Sequence, residues 1–140
     1  MEQLGQFILN HLGLVSALII ILILIFINEF ISQKKKAKEL TPAGVVKLMN
    51  HDDAVVIDSR DAETFASGHI INAIRASGDE FTKERIKKYK QKPIVLVCAR
   101  GLQSPALAIK LREQGFENVA VLSGGMNAWQ TANLPTVKGK

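Results

Sequence analysis

A stretch without charged residues near the N-terminus constrains this chain more than any other feature. No Lys, Arg, Asp or Glu occurs from Gln3 to Asn28, and residues 14–27 are almost entirely Leu, Ile, Val and Phe. About 20 such residues, each rising about 1.5 Å, match the ~30 Å hydrocarbon core of a bilayer. A surface helix of a soluble domain keeps a polar face, whereas this run is apolar on every side. We therefore predict a transmembrane anchor in residues 1–33, with the span at about residues 8–31.

A cleaved signal peptide is the alternative for an apolar N-terminal segment. Such a peptide has a basic start and a small-residue cleavage site after its apolar core. This chain begins with MEQ, and the sequence NEFISQKKK after the apolar run offers no Ala-x-Ala site. The sequence therefore favours an anchor that is retained.

Four lysines determine the expected orientation. Lys34, Lys35, Lys36 and Lys38 follow the apolar run, and no Lys or Arg precedes it. The positive-inside rule then places the N-terminus outside and residues 34–140 in the cytoplasm. We predict a single-pass protein of a bacterial inner membrane, with residues 34–39 as a basic juxtamembrane linker. A tether this short favours a membrane protein as a partner.

Residues 40–136 have the pattern of an α/β domain. Three continuous apolar runs, AVVID, PIVLVC and VAVL, predict buried strands. Helices are predicted between them, two beginning with a hydroxyl residue and a proline, at Thr41-Pro42 and Ser104-Pro105. Alternation of this kind predicts a parallel sheet covered on both faces. The segment IINAIRAS is predicted to be irregular.

The positive charge of this domain is concentrated in one segment. Of the 14 bases in residues 40–140, six lie between Lys83 and Lys92. We interpret EFTKERIKKYK as a helix with a solvated basic face. No nucleic-acid recognition motif accompanies the run, so no nucleic-acid partner is expected.

The chain has a single cysteine, Cys98, at the end of an apolar strand. A lone thiol excludes an intramolecular disulfide and a Cys-x-x-Cys metal or redox pair, and it suits a reducing compartment. Asp58 and Ser123-Gly124 also follow strands, and ligands of parallel sheets bind at the carboxyl ends of the strands. The expected site therefore lies at that edge of the sheet.

A short loop separates Cys98 from the next helix, for which Ser104 is the predicted N-cap. Gly101 allows the loop to curl with its amides inward, which makes an anion cradle beside the positive end of that helix. A thiolate or a persulfide anion would be stabilised there. The spacing alone leaves open the opposite interpretation, a buried and inert strand-end cysteine.

Two other cysteine chemistries fit the sequence poorly. A cysteine phosphatase requires Cys-x5-Arg, so that an arginine grips the phosphate, but position 104 is Ser and Arg100 comes too early. A Cys–His hydrolase requires a histidine base, and neither His51 nor His69 lies in a matching motif. No metal site is expected.

Three stretches, in this order, resemble the rhodanese family of single-domain sulfurtransferases. The sequence VVIDSRDAETFASGHIINAI resembles the family's Asp-x-Arg strand end and Gly-His-Ile turn. IVLVCARGLQSPALAIKL resembles its active-site loop, and LREQGFENVAVLSGGMNAW resembles its closing Gly-Phe, Gly-Gly and Trp signature. The resemblance covers residues 40–136. It departs from the family at NAIRAS, which lacks the proline of the usual Gly-Ala-x-Asn-Ile-Pro turn.

The resemblance implies an α/β, rhodanese-like three-layer fold with a mostly parallel central sheet, here preceded by one transmembrane helix. It implies that Cys98 is the catalytic cysteine, carrying a sulfane sulfur as a persulfide. The loop that would bind the substrate consists of Ala99, Arg100, Gly101, Leu102 and Gln103. Structural support is expected from Asp58, Arg60, Ser104 and Gly124, with Gly125 completing the closing turn.

The implied partners are a small sulfur donor, such as thiosulfate, and a thiol or cyanide acceptor, with no cofactor. Arg100 could attract an anionic donor or acceptor. Two other functions stay open at this point. One is a non-catalytic interaction module that recruits a partner to the membrane, and the other is a redox sensor that forms a mixed disulfide through Cys98.

Overall fold

The computed structural model describes residues 1–139, with only the backbone of residues 34 and 35. Two compact units are present, Met1–Lys35 and Lys36–Lys140. The first contains a short helix α1, Glu2–Asn10, and a long helix α2, Leu12–Lys35. Within α2, the stretch Leu12–Gln33 is long and apolar enough to cross a membrane, and no part of its apolar window is buried. The chain thus has one N-terminal apolar helix, as predicted, with a break at His11 inside the predicted span.

The second unit is built on five parallel strands in the order β1-β5-β4-β2-β3. The strands are β1, Lys38–Leu40; β2, Val55–Asp58; β3, Ile74–Arg75; β4, Ile94–Val97; and β5, Val119–Leu122. The helices are α3, Pro42–Asp52; α4, Ala62–Ser67; α5, Glu84–Lys87; α6, Ser104–Glu113; and α7, Gly125–Thr131; a 3-10 helix covers Gly78–Thr82.

Alternate residues of the central strands point to opposite faces of the sheet and form two hydrophobic cores. On one face, Leu96 packs in a cluster with Leu111 of α6 and Ile86 of α5. On the other face, Val97 packs in a cluster with Val45 of α3 and Trp129 of α7. The α/β class, the parallel sheet and the three layers are therefore confirmed.

The first strand corrects the predicted linker. Lys38 and Glu39 belong to β1, which pairs with β5 through Leu40↔Leu122, so the linker assignment of residues 34–39 is wrong at these two positions. The sequence KEL has only one apolar residue because β1 is an edge strand, exposed at Lys38 and Glu39. A strand of this kind leaves no apolar pattern in the sequence.

Two further predictions of local structure are wrong. The segment IINAIRAS contains a strand, β3, which extends the sheet by pairing Asp58↔Arg75. The basic segment EFTKERIKKYK is not one helix, because a 3-10 helix ends at Thr82 and α5 has only four residues. Both segments are too short for their apolar residues to show a period.

Candidate active site

Cys98 lies where the sequence places it, directly after β4 at the carboxyl edge of the sheet. Its side chain is buried, with 3% of its surface exposed. The loop turns at Gly101, which has a φ of 79°, and the Gly101 N–H donates to Cys98 Sγ at 3.1 Å. The curled loop expected from the spacing is thus present, with one amide directed at the sulfur.

Helix α7 holds this loop from behind. The Cys98 carbonyl accepts from Met126 N–H at 2.8 Å, and the Ala99 carbonyl accepts from Asn127 N–H at 3.0 Å. Gly125 sits so close that a Cβ there would collide with the Cys98 carbonyl oxygen and would lie 2.7 Å from Gly101 N. The Gly124-Gly125 turn that sequence analysis linked to the pocket therefore sets the closest approach of the two segments.

Ser104 has a different position from the one predicted. Gln103 is the N-cap of α6, and its carbonyl accepts from Leu107 N–H at 3.4 Å. Ser104 is the first helical residue and is fully buried. Its Oγ has no hydrogen-bond partner of standard geometry among the described residues. A buried hydroxyl without a partner is unfavourable, and ionisation of the neighbouring thiol supplies it with an acceptor.

Several groups act on the pKa of the Cys98 thiol. Burial is the largest influence and raises the pKa. The Ser104 hydroxyl and the amides of Gln103, Ser104 and Gly101 act in the opposite direction and together outweigh burial. The net pKa is lower than that of an ordinary thiol, so the site favours the nucleophilic thiolate.

Asp58 and Arg60 form a buried ion pair beside the loop. The Arg60 guanidinium donates to both Asp58 carboxylate oxygens, with Nη2–Oδ2 at 2.7 Å, and also donates to the Gly68 carbonyl at 2.7 Å. The Arg60 side chain is 9% exposed, and the Asp58 side chain is 1% exposed. The pair therefore links the end of β2 to the end of α4.

The Cys98 sulfur faces a cavity of about 330 Å³. Arg60, Ala99, Arg100, Leu102 and Gln103 line it, together with three residues that sequence analysis did not single out: Ser59, Asp61 and Thr64. Gly101, Ser104 and Gly124 support the loop and do not line this cavity. The tip of the loop is open to solvent, since Arg100 is exposed and 80% of the Leu102 surface is accessible.

Asp61 contributes a negative charge to this cavity. It is the N-cap of α4 and accepts from Thr64 Oγ1 at 2.6 Å and from Thr64 N–H at 2.8 Å. These hydrogen bonds hold the pKa of the Asp61 carboxyl below its usual range. The N-cap pattern Asp-x-x-Thr after the strand end is the sequence signal that could have identified Asp61 as a residue of this site.

Comparison with known proteins agrees with this geometry. The family model of the rhodanese-like domain matches residues 41–132. Protein YibN of Escherichia coli K12, whose function is uncharacterized, is 34% identical over the full length of both chains. Thiosulfate sulfurtransferase GlpE of Pseudoalteromonas translucida is 34% identical over 95 residues, which are 68% of this chain and 90% of that protein.

Solved structures share the same architecture. The rhodanese-like domain of an Anabaena protein aligns with a TM-score of 0.63 and 26% identity, over 72% of this chain and 79% of that one. A thiosulfate sulfurtransferase of Pseudomonas aeruginosa aligns with a TM-score of 0.65 and 25% identity, over 74% of this chain and 20% of the larger enzyme. These structures place the second unit in the class of α/β rhodanese-like domains.

The chain belongs to the family of rhodanese-like domains. Its homologues include the thiosulfate sulfurtransferase GlpE, 90% of which is matched by 95 residues of this chain. Residues 36–140 form a compact unit of their own, so this fragment is suitable for measurements in solution.

The approach of Gly125 to the loop generates a first prediction. Gly78 and Gly125 both have positive φ, but a Cβ at Gly78 would meet nothing within 4 Å. Each Gly→Ala change should cost about 1–2 kcal/mol through its left-handed backbone. Gly125→Ala adds a collision with backbone atoms, so we expect its free energy of unfolding to be lower by at least a further ~2 kcal/mol. Chemical denaturation of the fragment measures both variants, and equal losses would contradict the role given to Gly125.

The buried Ser104 hydroxyl generates a second prediction. Because the thiolate is the reactive form, alkylation of Cys98 accelerates as the pH rises through its pKa. Ser104→Ala removes a group that lowers this pKa, so the half-maximal rate of alkylation by iodoacetamide should move to higher pH. Ser67→Ala, which removes an exposed hydroxyl bonded to the Thr64 carbonyl, serves as the control and should leave the midpoint unchanged. An unchanged or lower midpoint in Ser104→Ala would show that the hydroxyl does not favour the thiolate.

Proposed function

We propose that this protein is a sulfurtransferase that carries a sulfane sulfur on Cys98. The observation that carries the proposal is the hydrogen bond from the Gly101 N–H to the Cys98 sulfur, together with a buried Ser104 hydroxyl that has no hydrogen-bond partner among the described residues. These groups favour a negative charge at the end of the Cys98 side chain. The catalytic residue is Cys98, and the loop 99–103 binds the substrate.

The proposed reaction is a double displacement. The Cys98 thiolate attacks the outer sulfur of thiosulfate, a sulfur–sulfur bond forms, and the bond to the sulfonate sulfur breaks with release of sulfite. The enzyme then holds a Cys98 persulfide anion. An acceptor thiolate or cyanide attacks the terminal sulfur of this anion and restores the Cys98 thiolate, so charge and atoms balance in both steps.

The lowered pKa of Cys98 increases the thiolate fraction at a given pH, and the proposed mechanism assigns no residue as a general base. The persulfide places its terminal sulfur further into the cavity, where the loop amides and the dipole of α6 act on it. Arg100 is exposed at the rim and forms no ion pair among the described residues, so its charge is free to attract an anionic donor. Arg60 is committed to Asp58 and Gly68, and we assign it no contact with the substrate.

Sulfur loading tests this proposal directly. After incubation with thiosulfate, intact-mass spectrometry of the fragment should show the addition of one sulfur atom, and cyanide should remove it as thiocyanate. The matched control is the double variant Cys98→Ser/Ser67→Cys, which keeps one thiol but places it on an exposed surface outside the loop. The proposal fails if Cys98 gains no sulfur from thiosulfate or from a low-molecular-weight persulfide, or if the control thiol gains as much.

We further propose that α2 anchors the domain in a bacterial inner membrane, with the N-terminus outside and residues 34–140 in the cytoplasm. The 22 residues of Leu12–Gln33 extend about 33 Å, slightly more than the ~30 Å hydrocarbon core. The lysines that follow this segment, and the absence of bases before it, support the orientation.

The orientation can be measured with two single-cysteine variants of the full chain, Glu2→Cys and Lys138→Cys, each in a Cys98→Ser background. A membrane-impermeant maleimide should label the Glu2→Cys variant in intact spheroplasts, because that residue is outside. It should label the Lys138→Cys variant only after permeabilisation. Each variant serves as the control for the other. The reverse labelling pattern would show that the N-terminus lies in the cytoplasm. Labelling of both variants in intact spheroplasts would contradict the proposed single-pass topology.

A further inference from the structure

A second and larger cavity lies away from the Cys98 sulfur. It has a volume of about 600 Å³, nearly twice that of the Cys98 cavity, and is enclosed by α4, β3, α5 and the turn after α5. Its apolar lining includes Phe65 and Ala66 of α4, Ile74 of β3 and the ring of Tyr89. We call this cavity the basic groove, because its other lining residues include Arg75, Arg85 and Lys88 and none of its residues is acidic.

Two charges at the basic groove have no carboxylate partner in the described part of the chain. Arg75 lies 3.5 Å from Glu80. By contrast, Arg85 donates to the neutral Arg75 carbonyl, and the Lys88 ammonium lies 5.0 Å from the centre of the Tyr89 ring. Neither Arg85 nor Lys88 forms a salt bridge there. A ligand could therefore neutralise both without breaking an internal ion pair.

The surroundings of the groove favour a ligand with several negative charges. Residues 83–92 contain six bases and one acid, a net charge of +5, which equals the net charge of the whole chain. A positive field of this size attracts and orients an anionic partner before contact. The groove is also lined by the apolar residues Phe65, Ala66 and Ile74, which favour a partner that supplies apolar side chains as well.

The arrangement of β3 restricts how a partner can bind. Ala76 N–H donates to the Asp58 carbonyl, so the preceding Arg75 carbonyl faces the open side of this edge strand. The Arg85 side chain donates a hydrogen bond to that carbonyl, so the carbonyl is not available to pair with an added strand. Side chains, rather than a paired backbone, are thus expected to make the contacts in the groove.

We propose that the basic groove is a docking site for an acidic peptide segment of a partner protein. Apolar side chains of the segment lie against Phe65, Ala66 and Ile74, and carboxylates beside them pair with Arg85 and Lys88. The groove does not include Cys98, so docking requires neither the thiol nor the sulfurtransferase activity proposed above.

Selection from a random peptide library displayed on phage, with the immobilised fragment of residues 36–140 as bait, tests the proposal. Enriched peptides should combine apolar residues with Asp or Glu, and their affinity should be measured by fluorescence anisotropy. The pair Arg85→Glu/Lys88→Glu should weaken binding at least about tenfold, because it replaces two attractions with two repulsions. Ala66→Phe should weaken binding to a similar degree by filling the groove without changing the charge.

The matched control is Lys47→Glu/Lys110→Glu, which makes the same change in net charge at exposed positions outside the groove. This pair and Cys98→Ser should leave the affinity within about twofold of the parent value, and thermal unfolding shows that each variant is folded. The docking site is refuted if no peptide is enriched, if enriched peptides lack acidic residues, if Ala66→Phe has no effect, or if the control pair weakens binding equally.

Two further arms separate the other anionic partners. Vesicles of phosphatidylglycerol and phosphatidylcholine and a single-stranded oligonucleotide are each tested for binding to the fragment and for competition with the selected peptide. If the vesicles or the oligonucleotide bind more tightly than the peptide, and this binding is lost in Arg85→Glu/Lys88→Glu, the peptide proposal is refuted. The partner of the groove would then be a lipid surface or a nucleic acid. Peptide binding to Cys98→Ser without sulfur loading in the parent would uphold the docking site and refute only the sulfurtransferase.

Discussion

The contact between the N-terminus of α7 and the carbonyls of the Cys98 loop is the constraint on which the site depends. The Cys98 and Ala99 carbonyls accept from Met126 and Asn127, which fixes the first part of the loop against α7. The loop then turns at Gly101, whose N–H donates to the Cys98 sulfur. The glycine at 125 lets α7 come this close, and the anion cradle follows from that approach.

The wall of the Cys98 cavity that faces the loop is held in place by the Asp58–Arg60 ion pair. The buried Asp58–Arg60 pair satisfies both charges internally, and its bond to the Gly68 carbonyl sets where α4 ends. A buried charge left without its partner costs several kcal/mol, so a substrate has little means to recruit Arg60. The positive charge available to an incoming anion therefore comes from Arg100, and the ionised Asp61 opposes it within the same cavity.

The parts of the fold that sequence reasoning predicted are those with a strong local cause. Continuous apolar runs identified β2, β4 and β5, and the Thr41-Pro42 start of α3 is confirmed by the Gly44 N–H that donates to Thr41 Oγ1. The strands β1 and β3 were not predicted, because they lie at the edges of the sheet. There, pairing with a neighbouring strand, rather than burial on both faces, determines the conformation.

The candidate site shows the same division. The positions of Cys98 and Gly101 follow from the strand end and from the turn that only glycine adopts easily. The place of Ser104 inside the helix, and of Thr64 across the cavity, depends on how α6 and α4 pack, which no local pattern records. Sequence reasoning thus predicted the loop and Arg60, and it missed Ser59, Asp61 and Thr64 on the facing wall.

Helix α4 contributes residues to both the Cys98 cavity and the basic groove. Asp61 and Thr64 face the Cys98 cavity, whereas Phe65 and Ala66 face the basic groove. A six-residue helix has no room to repack one side independently of the other, and its C-terminal end is tied to Arg60 through Gly68. A segment seated in the groove would therefore contact the same helix whose N-cap residue, Asp61, lines the Cys98 cavity. Helix α4 is therefore the physical connection between the basic groove and the wall that faces the Cys98 loop.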